Sequence, residues 1–154
     1  MGTQYSTVPR YSLKLVKEKG IRYPRNKVDG SDAAEAVLRA YLEDKDCENV
    51  VMLMIDGQNN MIGLHTVAIG GISGVHTSVR DCLKHAIAGR AHAFILGHNH
   101  PSGDPSPSPE DIAFTTRIIE AALIIGIPCV DHVIVSSGIT SRSFSFFQNE
   151  LLFG

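Results

Sequence analysis

The chain has 154 residues, with 14 Lys and Arg against 16 Asp and Glu and a formal net charge of −2. That length fits one domain able to bury its own core, and the near-balanced charge excludes a molecule that binds nucleic acid or membrane over its whole surface. No apolar run is long enough to span a bilayer, and no charged-then-apolar signal pattern opens the chain. The three cysteines, Cys47, Cys82 and Cys129, are widely spaced in apolar surroundings. They read as free thiols of a reducing, cytoplasmic compartment.

Residues 1–30 carry seven of the 14 basic residues against two acids, Glu18 and Asp29. They are set apart as a basic N-terminal arm or edge strand, and residues 31–154 as the domain proper. Tyr11, Leu13 and Leu15 alternate with polar residues, which predicts a short strand. From Ser31 the period turns helical: Ser31 or Asp32 caps, and Val37, Leu38, Tyr41 and Leu42 form one apolar face. "NVVMLMI" at 49–55 predicts a buried strand, "DGQNN" a turn, and residues 61–69 the returning arm of a hairpin. Gly70, Gly71 and Gly74 break that strand. Thr77 or Ser78 caps a helix through Ala88, with Val79, Cys82, Leu83, Ala86 and Ile87 inward and Gly89 at its end. "HAFILG" at 92–97 predicts a third strand, residues 101–109 a Pro/Ser loop, and Asp111 to Ile125 a helix stopped by Gly126 and Pro128. "CVDHVIVS" at 129–136 and "FSFF" at 144–147 predict the last two strands. A hairpin within an irregular alternation of strands and helices implies an α/β chain of α+β type, its mixed sheet flanked by helices.

Chemistry concentrates in "GHNHPSGDPSPSPED", residues 97–111. On an extended segment, side chains two apart share a side, so His98 and His100 face one way and make a natural imidazole pair for a metal. Ser108 suits an N-cap, Pro109 the first helical position, and Asp111 falls in the first turn. Prolines at 101, 105, 107 and 109 restrict the loop and fix the separation between strand end and helix. Three protein ligands leave a fourth position open to water, which marks a catalytic rather than a structural zinc site. Alone, S-P-E-D is a plain helix start and H-x-H is common. The three consecutive letters H-N-H differ from the nuclease motif of that name, whose residues are spread over a hairpin and helix.

Taken together, His98-x-His100, seven residues, Ser108, two residues and Asp111 have the spacing of the JAMM (MPN-type) metalloprotease motif. The surrounding text, "ILGHNHPSGDPSPSPEDIAFTTRIIEAALIIGIPCVDHVIVS", resembles the JAB domain of the RadC family. The resemblance is strong over residues 92–136, weaker back to residue 31, and absent over the first 30. It implies a curved mixed sheet of JAB/MPN (cytidine-deaminase-like) architecture. It implies Zn2+ on His98, His100 and Asp111, Ser108 as donor to the oxyanion, and hydrolysis of a peptide or isopeptide bond in a protein substrate. RadC proteins typically carry a helix-hairpin-helix region ahead of this domain, and this sequence shows none.

Enzymes of the JAMM type also use a glutamate as general base, and the resemblance aligns it with Thr66 in "LHTVAIGG". No Asp or Glu lies between Asp56 and Asp81, and threonine cannot serve as a base near neutral pH. Three accounts stay open: a metal-binding relative with little turnover, another acid (Glu48, Asp104 or Glu110) reaching the water, or a deliberate change at 66. Asp131 and His132 are candidates to hold a metal ligand from behind. The competing readings are a zinc hydrolase, a non-catalytic metal-binding interaction module, and a DNA-repair accessory that uses the basic arm.

Overall fold

A computed structural model describes residues 6–70, 77–136 and 142–152. The elements run α1 (Ser31–Leu42), β1 (Asn49–Ile55), β2 (Met61–Ile69), α2 (Val79–Ala88), β3 (Ala93–His100), α3 (Pro109–Ile125), β4 (Cys129–Ser136) and β5 (Ser143–Ser145). The strands form one sheet in the order β2-β1-β3-β4-β5. Among the described strands only β3 and β4 run parallel, joined by α3 as the crossover; the other pairs are antiparallel. This is the mixed, helix-flanked α+β sheet that the sequence implied.

All seven residues of β1 are buried, because the strand lies inside the sheet and both its faces are covered. Alternation sends its side chains to two cores. Val51, Leu53 and Ile55 join Ala93, Ile95, Val133 and Val135 beneath Val37, Leu38 and Leu42 of α1. Met52 and Met54 join Phe94 and Leu96 against Cys82, Leu83 and Ala86 of α2 and Phe114, Ile118 and Ala122 of α3. The result is three layers, with α1 on one face and α2 and α3 on the other.

Several local expectations are corrected. The segment around Tyr11–Leu15 is not a strand: it has no sheet partner among the described residues, and Tyr11 and Leu13 are exposed. Alternation alone did not make it pair, because a strand needs an edge that accepts its backbone. Helix α1 is preceded by Gly30, with no side-chain cap from Ser31 or Asp32. In α2, Ser78 is the cap, its hydroxyl accepting from the Asp81 N–H, but Ile87 is exposed. β3 runs on through His100, so both imidazoles are strand residues. β5 is shorter than expected and starts at Ser143. Gly71 and Gly74 lie outside the described residues.

Gly97 shows how tightly α1 lies on the sheet. A β-carbon there would come within 2.7 Å of the buried Leu38 side chain. Gly97→Ala should overpack this contact and cost about 1–3 kcal/mol, read as a lower midpoint in denaturant with an unchanged slope. An unaltered midpoint would mean that Leu38 has room to yield.

Candidate metal centre

Alternation along β3 turns His98 and His100 away from Gly97 and α1, toward α3. Across the gap, Ser108 caps α3. Its hydroxyl accepts from the Asp111 N–H at 3.1 Å, and the Ser108 N–H and hydroxyl both donate to Asp111 Oδ2 at 2.8 Å. This reciprocal cap fixes the Asp111 carboxylate and leaves Oδ1 for other partners. His98 Nε2 lies 3.4 Å from Oδ1, and His100 Nε2 lies 3.5 Å from Oδ2. The two Nε2 atoms are 3.0 Å apart.

The hydrogen-bond partners indicate what this cluster is built to hold. His100 Nδ1 is 2.8 Å from the carbonyl of Asp104. A carbonyl can only accept, so Nδ1 carries the hydrogen, and the neutral ring offers its Nε2 lone pair inward. An imidazole lone pair and a carboxylate oxygen converging with a second Nε2 suit a cation. A tetrahedral ion with bonds of about 2.0–2.1 Å spaces its ligand atoms about 3.3–3.4 Å apart, close to the separations found. The residues present therefore fit a divalent metal. Without one, the acid and the imidazole satisfy each other. Burial would raise the Asp111 pKa, but hydrogen bonds with His100 and His98 outweigh it and hold the carboxyl well below the usual range. The Asp111 carboxylate in turn raises His100, against the opposing effect of burial.

A fourth residue joins this set. Ligand atoms of Glu48, His98, His100 and Asp111 all lie within 4.8 Å of one another, and Glu48 Oε1 is 4.0 Å from His98 Nε2. Glu48 precedes β1, whose start is brought beside the end of β3 by antiparallel pairing of Val50 with His98. The middle residue of H-N-H holds it there. Asn99, fully buried on the other face, accepts from the Asn49 N–H at 2.8 Å and donates to the Cys47 carbonyl at 2.9 Å. Of the three acids weighed from sequence, Glu48 is the one found in this cluster. Asp104 instead takes the N–H and hydroxyl of Ser106.

Thr66 is placed elsewhere. It pairs with Val51, whose side chain packs in the α1 core, and its hydroxyl meets the Tyr41 hydroxyl of α1 at 2.8 Å. His65, paired with Met52, stacks on His85 of α2, with ring centroids 3.5 Å apart. Asp131 and His132 separate in the same way. Asp131 turns to the C-terminal segment, accepting from Ser145 Oγ at 2.7 Å and the Phe147 N–H at 3.0 Å. Burial raises its pKa in spite of these bonds. His132 turns the opposite way, and its Nε2 is 2.8 Å from His98 Nδ1. It is fully buried, and burial pushes its pKa well below the ordinary value, so it is a neutral ring.

Similarity to known proteins agrees with this architecture. The chain is 44% identical over 98 residues to a UPF0758 protein of Carboxydothermus hydrogenoformans, covering 64% of this chain and 43% of that one. It is 34% identical over 126 residues to a UPF0758 protein of Alkaliphilus oremlandii, covering 82% and 53%. A UPF0758 protein of Aquifex aeolicus is 38% identical over 109 residues, covering 71% and 46%. The chain thus spans about half the length of these curated relatives. The RadC-like JAB domain matches residues 28–151, from the end of the basic arm through the last strand, and the chain belongs to that family.

Proposed function

We propose that this chain is a zinc-dependent hydrolase of peptide or isopeptide bonds, with His98, His100 and Asp111 as zinc ligands and Glu48 as general base. The observation that carries the reading is the convergence of two imidazole nitrogens, one carboxylate and a second, half-buried carboxylate at the end of β3. Nitrogen and oxygen donors in a three-ligand set suit zinc with an open position. Zinc held there lowers the pKa of a water to about 7 and polarises the substrate carbonyl.

The remaining chemistry belongs to the side chains. Glu48, at 4.0 Å from His98 Nε2, stands farther off than a ligand at a tetrahedral corner and suits a group one water away. Its carboxylate takes a proton from the attacking water and returns it to the leaving amine as the C–N bond breaks. Ser108 binds the Asp111 carboxylate through both its N–H and its hydroxyl, so its first task is to orient a ligand. Donation to an oxyanion requires its single hydroxyl hydrogen to turn from Asp111 to the substrate.

Purified protein with one zinc restored should cleave members of a peptide and isopeptide panel, and a chelator should abolish the cleavage. A chain that binds zinc and cleaves nothing would be a metal-bound interaction module instead. Zinc affinity should also depend on pH. The ion needs the His100 Nε2 lone pair, and Asp111 raises the pKa at which a proton leaves that ring. Affinity should therefore rise with pH by about tenfold per unit below the His100 pKa, where one proton is displaced, and flatten above it. Competition against a fluorescent chelator between about pH 5.5 and 8 measures this. A flat profile would mean that His100 does not ligate.

A further inference from the structure

Behind His98 lies a buried chain of polar contacts that ends on a backbone carbonyl. His98 Nδ1 meets His132 Nε2 at 2.8 Å, and His132 Nδ1 meets Thr115 Oγ1 at 2.6 Å. Thr115 Oγ1 in turn lies 2.6 Å from the Asp111 carbonyl, one helical turn back on α3. All three side chains are buried, at 1% exposure or less. Water therefore does not replace any of these partners.

We infer that Thr115 and His132 are positioning residues that hold His98 as the tautomer with hydrogen on Nδ1, leaving Nε2 as a lone pair aimed at the metal position. The direction follows from the end of the chain. The Asp111 carbonyl can only accept, so the Thr115 hydroxyl hydrogen goes to it, a back-bond common for threonine in helices. Thr115 Oγ1 must then accept from His132, which places the His132 hydrogen on Nδ1. His132 Nε2 is left as an acceptor, and His98 Nδ1 donates to it. Reversing any step leaves two lone pairs or two hydrogens facing each other in a buried site, which is costly where water cannot intervene.

One helix thus supplies both halves of the site. The first turn of α3 presents the Asp111 carboxylate to the ion, and its carbonyl sets the proton order that presents His98. Phe146, stacked on His132 with ring centroids 4.9 Å apart, holds the plane of the ring. His98 needs this arrangement more than His100, whose Nδ1 bonds directly to a backbone carbonyl.

The inference rests on the metal-site reading for its purpose, but its test does not require metal. Long-range proton–nitrogen NMR correlation on the full, metal-free chain with 15N-labelled histidine reads each tautomer directly. His98 and His132 should both carry hydrogen on Nδ1. His98 with a bare Nδ1 toward His132 would overturn the inference, whether or not zinc binds. Thr115→Val removes the acceptor while keeping shape; the His132 tautomers should mix and zinc affinity fall by about 10- to 100-fold. Thr115→Ser should restore both, which a purely structural role for the methyl group would not predict. Thr115→Val that binds zinc as tightly as the parent, with His132 unchanged, would also overturn it. A chain that takes up no zinc but shows the expected tautomers would remove the metal reading and keep the proton order.

Discussion

Asp111→Ala should empty the metal centre: protein purified without added metal or chelator should carry about one zinc per chain, and the variant close to none. The expected loss in affinity exceeds the roughly 10- to 100-fold typical of losing a partner behind a ligand, because a ligating oxygen itself is removed. Two effects compound. Oδ1, 3.4 Å from His98 Nε2, disappears, and so does Oδ2, which accepts both the N–H and the hydroxyl of Ser108. The second loss weakens the helix cap by about 0.5–2 kcal/mol, so unfolding should be measured beside metal content. Asp111→Asn separates the two, since its amide oxygen still accepts from Ser108 while the negative charge is gone. If Asp111→Ala keeps its zinc, the ion is held elsewhere.

What could be read from residues alone follows the range of the interactions. His98, His100 and Asp111 lie within 14 residues, and strand alternation plus a capped helix start brings them together by local rules. Glu48 is 50 residues from His98, and its place depends on β1 neighbouring β3 in antiparallel register, a fact about strand order. The signal was present in an acid immediately before a strand that is apolar after its first residue, but it gains meaning only once that strand's partner is known. Thr66 shows the converse. Its place in a motif aligned it with a catalytic role, while its pairing with Val51 directs its hydroxyl to Tyr41. Asp131 and His132 are neighbours in sequence, and alternation allows only one of them to back His98. Thr115, four residues after Asp111, was accessible through helical spacing and was overlooked because threonine in an apolar helix reads as filler. The fold was legible because its strands are continuous apolar runs bounded by Gly, Pro and capping residues. The exposed arm misled because alternation without a partner edge looks the same in sequence as alternation with one.

Glu48→Gln should lower hydrolysis by about 10²–10⁴-fold while leaving one zinc per chain, the pattern of a lost general base at an intact metal centre. Glutamine keeps the size and the hydrogen-bonding oxygen of the side chain but cannot accept a proton near neutral pH. The parallel measurement of zinc content decides between two uses of the carboxylate. At 4.0 Å from His98 Nε2 it would reach an ion held by His98, His100 and Asp111 through one water. Were it a fourth ligand, Glu48→Gln would weaken zinc binding as well, the coordination shell would be closed, and a structural role would replace the hydrolytic one. Thr66 supplies the control from the other face of the sheet. Adding Thr66→Glu to Glu48→Gln should not restore turnover, because that side chain meets Tyr41 in the half-buried layer under α1. A carboxylate placed there should instead destabilise the fold by about 1–3 kcal/mol. Rescue by Thr66→Glu, with Glu48→Gln silent on its own, would move the base to β2 and require that strand to turn its side chains through the bulge beside Val51. The Asn99 contacts give an independent check. Asn99→Ala leaves the Asn49 N–H without its acceptor and frees the backbone that carries Glu48. Turnover should then fall while zinc content holds, since Asn99 touches the base's segment and none of the ligands.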